Sequence, residues 1–178
     1  VDTEEPAATI QSACTAEATA SSTEAAADTA ASTADVTTIK DRTLMVGVEL
    51  GYPPMEYFDT DGATPIGFDV EVANALADYL GLELELVDTS WDGIFAGVDT
   101  GKYDCIISCV SITDERKEQF NLTKPYVSNH TVLIVPNDSE IDTMEALNGH
   151  STAVQAETTA ADYIKVHTAE LGDEGFHY

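Results

Sequence analysis

The sequence predicts an α/β fold, with one lobe built on a mostly parallel sheet and the beginning of a second lobe behind it. Three observations carry this. Short apolar strands alternate with amphipathic helices from Asp41 onward. Polar and aromatic clusters (Glu49–Tyr52, Ser90-Trp91, Ser108–Ser111) recur where strands end. The strand–loop–helix pattern then starts again after Thr131. Strands joined through helices run parallel, are buried on both faces, and place a ligand edge at their carboxyl ends.

Taken in order, Leu44–Val48 (LMVGV) is a short apolar strand. Over Asp69–Leu80, Val72, Ala73, Leu76 and Leu80 fall on one face of a helix that stops at Gly81. Leu82–Val87 alternates Leu with Glu, the period of a half-exposed strand. Trp91–Thr100 sets Ile94, Phe95 and Val98 on one side of a second helix, and Cys105–Val110 reads as a buried strand. Thr131–Pro136 (TVLIVP) is a further strand, with Val127–Ile134 as the crossover. Met144–Leu147, a strand at Thr152–Gln155 and a helix from Thr159 come next. The first lobe is expected to collapse around Leu44, Val46, Leu76, Leu84, Leu86, Phe95, Ile106 and Val110.

Residues 1–40 are a different material. They are almost all Ala, Thr, Ser, Glu and Asp with no aromatic residue, too little apolar area to offset the entropy of ordering a backbone. The expectation is a disordered acidic tether over 1–40, the first lobe over 41–131, and crossover plus partial second lobe over 132–178. Cys14, after Ser12-Ala13, is a weak lipidation signal, since no apolar segment precedes it. The chain begins without the regions of a signal peptide. With 33 acids against 7 bases the net charge is −26, which argues against nucleic acid or an anionic membrane surface as partner.

Lys102–Tyr126 (KYDCIISCVSITDERKEQFNLTKPY) holds the chemistry. An apolar strand empties through Ser111-Ile112-Thr113 into a helix whose first turn carries Asp114, Glu115 and Arg116. Backbone N–H groups at a helix start attract an anion, and Arg116 can grip a carboxylate with two parallel hydrogen bonds. Ser111 offers a backbone donor and a hydroxyl able to accept from an ammonium. Together they suit the head of a free amino acid.

The order GYPPMEY, PIGFDVEVANALADYLG, SWDGIFAGVDTGKYDCIISCVSITDERKEQFNLTKPY, TAVQAETTAADY resembles the amino-acid-binding solute receptors of bacterial ABC importers, extracellular solute-binding protein family 3. The resemblance implies a two-lobed periplasmic-binding-protein-like fold (type II), with lobe one nearly complete and lobe two partial. It also implies a site outside the cell or in the periplasm, delivery to an ABC permease, and a monomer. Anchorage to the cell surface through the tether fits this. Arg116 corresponds to the carboxylate-binding Arg, with backbone N–H groups at Ser111 and Thr159. The Ser111 hydroxyl and the Cys109 carbonyl correspond to ammonium acceptors, and Tyr52 and Trp91 to aromatic walls. Glu49 and Gln155 stand where the family contacts the ligand side chain, with Ser108 beside them. Glu49 with Gln155 favours a polar ligand carrying a donor, such as Gln, Arg, Lys or His. Glu157 stands where the family usually has Gly, which permits positive φ. The family also continues beyond Tyr178, so the 178 residues are read as a fragment or truncated product.

No enzymatic activity, cofactor or metal is expected. The His residues lack ligand spacing, and no nucleophile–base pair or phosphate loop is present. Cys105 and Cys109, read as same-side residues of one strand, are expected to be buried thiols, not a disulfide. Asp69 and Glu71 are read as complementing a helix dipole. Two other functions remain open: the sensor module of a receptor, and an enzyme on the same scaffold (a dehydratase of prephenate-like acids, or a lytic wall enzyme carrying the fold as an appendage).

Overall fold

The computed structural model describes residues 8–13 and 36–171. Its elements are β1 (Ala8–Ala13), β2 (Thr43–Val48), β3 (Tyr57–Phe58), β4 (Pro65–Ile66), α1 (Phe68–Leu80), β5 (Glu83–Asp88) and α2 (Trp91–Asp99). They continue with β6 (Cys105–Ile106), α3 (Asp114–Gln119), β7 (His130–Ile134), a 3₁₀ turn at Glu145–Leu147, β8 (Thr152–Ala153) and α4 (Thr159–Leu171). Two compact units divide after Pro125, where the sequence reading divided the lobes after Thr131.

In the unit that ends at Pro125, β5, β2 and β6 form a parallel sheet in that order. β2 is its centre, and its side chains alternate between two cores. Leu44, Val46 and Val48 pack with Ala73 and Ala77 of α1 and with Ile107. Met45 on the other face joins Trp91, Ile94 and Tyr103. A central parallel strand must be covered on both sides, and here the period of two delivers apolar groups to both. Tyr103 enters between the sheet and α2 because Gly47 leaves room: a Cβ there would stand 2.6 Å from its ring. The Tyr103 hydroxyl donates to the Ile94 carbonyl.

Three expectations need correction in this unit. The helix expected over Asp69–Leu80 forms, but Leu76 is exposed and the buried face is Asp69, Val70, Ala73 and Ala77. Two alanines let the helix approach the sheet closely, and the Asp69 carboxylate, accepting the Cys109 N–H at 2.5 Å, fixes its rotation. The strand expected over Cys105–Val110 keeps ladder pairing only at Cys105–Ile106, because Cys109 turns the chain with φ 45°. The two cysteines therefore do not lie on one extended strand; both are thiols as expected but only part-buried, not fully buried, and burial pushes the Cys105 thiol up to about 11. The hairpin of β3 and β4 was missed. Its turn is held by Asp61, which accepts from the Ala63 and Thr64 N–H groups and the Thr64 hydroxyl. These bonds hold its carboxyl down at about 2.

The tether is corrected at two places. The Ile39 N–H donates to Asp104 Oδ1 at 2.7 Å and Lys40 pairs with Glu85 at 2.5 Å, so fixed contacts begin before residue 41. Ala8–Ala13 is a strand, antiparallel to β7 and parallel to β8. A strand flanked on both sides satisfies the backbone donors and acceptors of its neighbours, which outweighs the weak apolar content of the segment. Cys14 lies outside the described residues.

In the unit that begins at Tyr126, Leu147, Ala160 and Ile164 form the core, with Leu133, Val135, Ile141, Met144 and Val154 against it. The helix expected from Thr159 starts there, with the Thr158 hydroxyl accepting the Ala161 N–H at 3.2 Å. Just before it Glu157 adopts φ 60°, the left-handed conformation that glycine takes without strain. Glu157→Gly is therefore expected to stabilise the protein by about 0.5–1 kcal/mol, the backbone strain relieved less the extra freedom of an unfolded glycine. Thermal unfolding checks this, and a destabilised variant would contradict it. Among the described residues no helix is long and apolar enough to cross a membrane.

Candidate binding site at the carboxyl edge of the sheet

Parallel pairing of β5, β2 and β6 brings three strand ends to one edge. Glu49–Tyr52 follow β2, Trp91 opens α2 beyond β5, and Ser108–Ser111 follow β6. Topology thus gathers Glu49, Tyr52, Trp91, Ser108, Cys109, Ser111 and Arg116 in one unit. Gln155, exposed after β8, and Thr159, the first residue of α4, belong to the other unit.

Arg116 sits on α3, whose N-cap is Thr113. The Thr113 hydroxyl accepts the Arg116 N–H at 3.1 Å, so this amide serves the cap. The cationic group is the side chain. Its guanidinium donates to the Ser111 carbonyl at 3.0 Å. The guanidinium carbon lies 4.9 Å from the Phe95 ring centre and 5.5 Å from that of Trp91. Those two rings meet edge to face at 5.5 Å, and Phe95 meets Phe120 at 5.3 Å. Each cation–ring contact is worth about 0.5–2 kcal/mol, and together with the carbonyl they set the plane of the guanidinium in advance. A planar donor fork held this way is matched to a carboxylate.

Glu49 is oriented from both ends. Its Oε1 accepts the Trp91 N–H at 2.9 Å, at the first turn of α2, and its own N–H donates to Ser108 Oγ at 3.1 Å. The Ser108 hydroxyl donates to Glu56 Oε1 at 2.5 Å. Ser108 is only 4% exposed, so it acts as a joint behind the edge. The backbone of Glu56 continues the linkage: the Gly51 and Tyr52 N–H groups donate to its carbonyl at 3.0 and 2.8 Å. Cys109, expected to offer its carbonyl, uses its N–H on Asp69.

Sequence reasoning missed Glu56; it placed Asp69 in the first turn of α1, where it stands, but did not foresee its bond to Cys109, and the two acids are 1% and 0% exposed. Burial above all, then the charge of Asp69, pushes the Glu56 carboxyl up to about 8, with the Ser108 hydroxyl pulling the other way. The signal available for Glu56 was its place between the apolar Met55 and Tyr57 in GYPPMEY.

The chain belongs to the bacterial extracellular solute-binding proteins, family 3, whose pattern it matches over residues 44–173. It is 36% identical over 130 residues to the L-cystine-binding protein TcyJ of Escherichia coli (strain K12), covering 71% of this chain and 48% of that one. To the L-arginine-binding protein of Pseudomonas aeruginosa it is 29% identical, covering 80% of this chain and 55% of that one. Among solved structures, the ancestral amino acid-binding protein AncCDT-1, a precursor of cyclohexadienyl dehydratase, has TM-score 0.67 and 37% identity, over 70% of this chain and 56% of that one. The arginine-bound form of a truncated ArgBP from T. maritima has TM-score 0.67 and 35% identity, over 76% of this chain and 62% of that one. The chain thus spans about half the length of the curated relatives it matches. These relatives are named as binding proteins, and the two-lobe α/β fold expected from the sequence is that of the family.

Proposed function

We propose that this protein captures a free polar amino acid outside the cell for an ABC permease. The observation that carries the reading is Arg116, whose guanidinium is set in plane by the Ser111 carbonyl and two aromatic rings. In this reading Arg116 takes the ligand carboxylate with the backbone N–H group of Ser111. The Ser111 hydroxyl and Cys109 carbonyl receive the ammonium, Tyr52 and Trp91 wall the stem, and Glu49 reads the side chain; Gln155 and Thr159 are the ligand contacts proposed for the other unit. Names of relatives for arginine, histidine and cystine support the ligand class. So does the acidity of the edge, where Glu49 and Asp88 accept backbone N–H groups from Trp91 and Leu50.

A ligand with a cationic or amide side chain finds acceptors there, whereas an acidic one meets like charge. A thermal-shift panel of L-arginine, L-lysine, L-histidine, L-glutamine, L-cystine, L-glutamate and L-aspartate tests this. The largest stabilisation is expected from a basic or amide amino acid. Largest stabilisation by glutamate or aspartate would overturn the ligand class.

A further inference from the structure

The carboxyl edge rests on two buried acids that no ligand contact requires. Glu56 holds the Ser108 hydroxyl, and Ser108 in turn receives the Glu49 N–H. Asp69 holds the N–H of Cys109 at the point where the chain turns with φ 45°. Their partners Ser108 and Cys109 are adjacent in the chain, and the Asp69 N–H donates to the carbonyl of Met55, the residue before Glu56, which brings the two carboxyl groups together, and both are shut off from solvent. Two such groups cannot both be ionised without severe cost, and one proton shared between them removes it.

We propose that Glu56 and Asp69 share a single proton and act as a positioning pair for the ligand edge, Glu56 through Ser108 and Asp69 through Cys109, so that the edge loosens when that proton is lost. The asymmetry of the surroundings says where it resides. Asp69 lies in the first turn of α1 and accepts from a backbone N–H, both of which favour a carboxylate. Glu56 Oε2 is buried and meets no protein N–H or O–H donor. Carrying the proton there lets it donate to Asp69, while Oε1 still accepts from Ser108. The other charged group acting on Glu56 is Glu49, from the loop after β2, and it too is an acid. Ser108 and Cys109, from the segment after β6, contribute a hydroxyl and a backbone N–H. In this set only the Ser108 hydroxyl favours ionising Glu56, and burial with the two neighbouring acids outweighs it.

The pH dependence has a definite sign. Glu56 rises from an ordinary value of 4.5 to about 8 in the folded protein, so between those limits the folded state keeps a proton that the unfolded chain has released. The stability due to the pair is complete below the window, declines through it, and is lost above about pH 8.

The proton can be tested without any ligand. With carboxyl-¹³C glutamate in the chain, one resonance is expected to titrate near pH 8 and to be missing from Glu56→Gln. Between about pH 6 and about pH 9 the wild type should lose thermal stability that Glu56→Gln keeps, because an amide accepts from Ser108 and donates to Asp69 without titrating. Should that variant not fold, Asp69→Asn serves: removing the neighbouring charge should bring the Glu56 resonance down toward the other glutamates. Titration of Glu56 with the ordinary glutamates in the wild type would overturn the proposal. A second arm rests on the amino-acid reading. NMR titration with L-arginine should show affinity falling about tenfold or more from about pH 7 to about pH 9.5 in the wild type, beyond the fall in Glu56→Gln. The ligand's own ammonium titrates equally in both proteins, so their difference reads the pair. Equal falls would overturn the positioning role. Absence of binding to both would count against the amino-acid reading, with the shared proton still decided by the carboxyl resonance.

Discussion

Replacing Arg116 with alanine is expected to weaken amino-acid binding by about 3 kcal/mol or more, roughly a hundredfold in Kd. The loss is large because the guanidinium offers two parallel charge-assisted bonds, and because its plane is fixed before the ligand arrives by Ser111, Trp91 and Phe95. Arg116→Lys should recover only part of it, since an ammonium on a flexible stem restores charge but not the planar fork. Folding should suffer less, by about 1 kcal/mol, since what is removed from the apo protein is a cation resting on two rings of a part-buried surface. NMR titration with L-arginine separates the two effects when the variant's thermal midpoint is measured alongside. Unchanged affinity in a folded Arg116→Ala protein would sink the assignment of the carboxylate to this residue.

The first parallel sheet was legible because its strands announce themselves twice, by apolar runs and by the polar and aromatic clusters at their carboxyl ends. Thr43–Val48, Glu83–Asp88 and the two helices between and after them lie within a residue or so of their expected bounds, and the residues at their ends define the edge. What the sequence does not carry is how neighbours reorient these elements. The hydrophobic face of α1 pointed Leu76 inward; Asp69, bound to a backbone N–H forty residues away, turned it out. Glu56 was invisible for the same reason, since its burial depends on Ser108 and Asp69, both distant in sequence. β1 was missed because low apolar content tells against a strand in isolation, while pairing on both sides supplies hydrogen bonds that composition cannot register. In each case the missing information is a long-range polar contact, and local periodicity is blind to those.

Gly67→Ala is expected to cost about 3 kcal/mol of stability, the sum of a backbone strain of about 1–2 and an overpacking term of about 1–3. Gly67 precedes α1 with φ 128°, and a Cβ there would fall well inside contact distance of the Met55 carbonyl. That carbonyl cannot simply move, since it accepts the Asp69 N–H at 2.8 Å, while the neighbouring Pro54 carbonyl accepts from Phe68 at 3.1 Å. The close approach at Gly67 is thus what presses the start of α1 against the segment that carries Glu56, and so aligns Glu56 with Asp69. Gly62→Ala is the natural control: Gly62 has φ 69°, but nothing lies within 4 Å of an added Cβ. It should show the strain alone, about 1 kcal/mol. At this chain length the midpoint of thermal unfolding should fall by roughly 6–12 °C for Gly67→Ala and by a few degrees for Gly62→Ala. Equal shifts in the two would mean that the Met55 turn yields freely. In that case the carboxyl pair behind the binding edge would have to be held by Ser108 and Cys109 without help from the helix start.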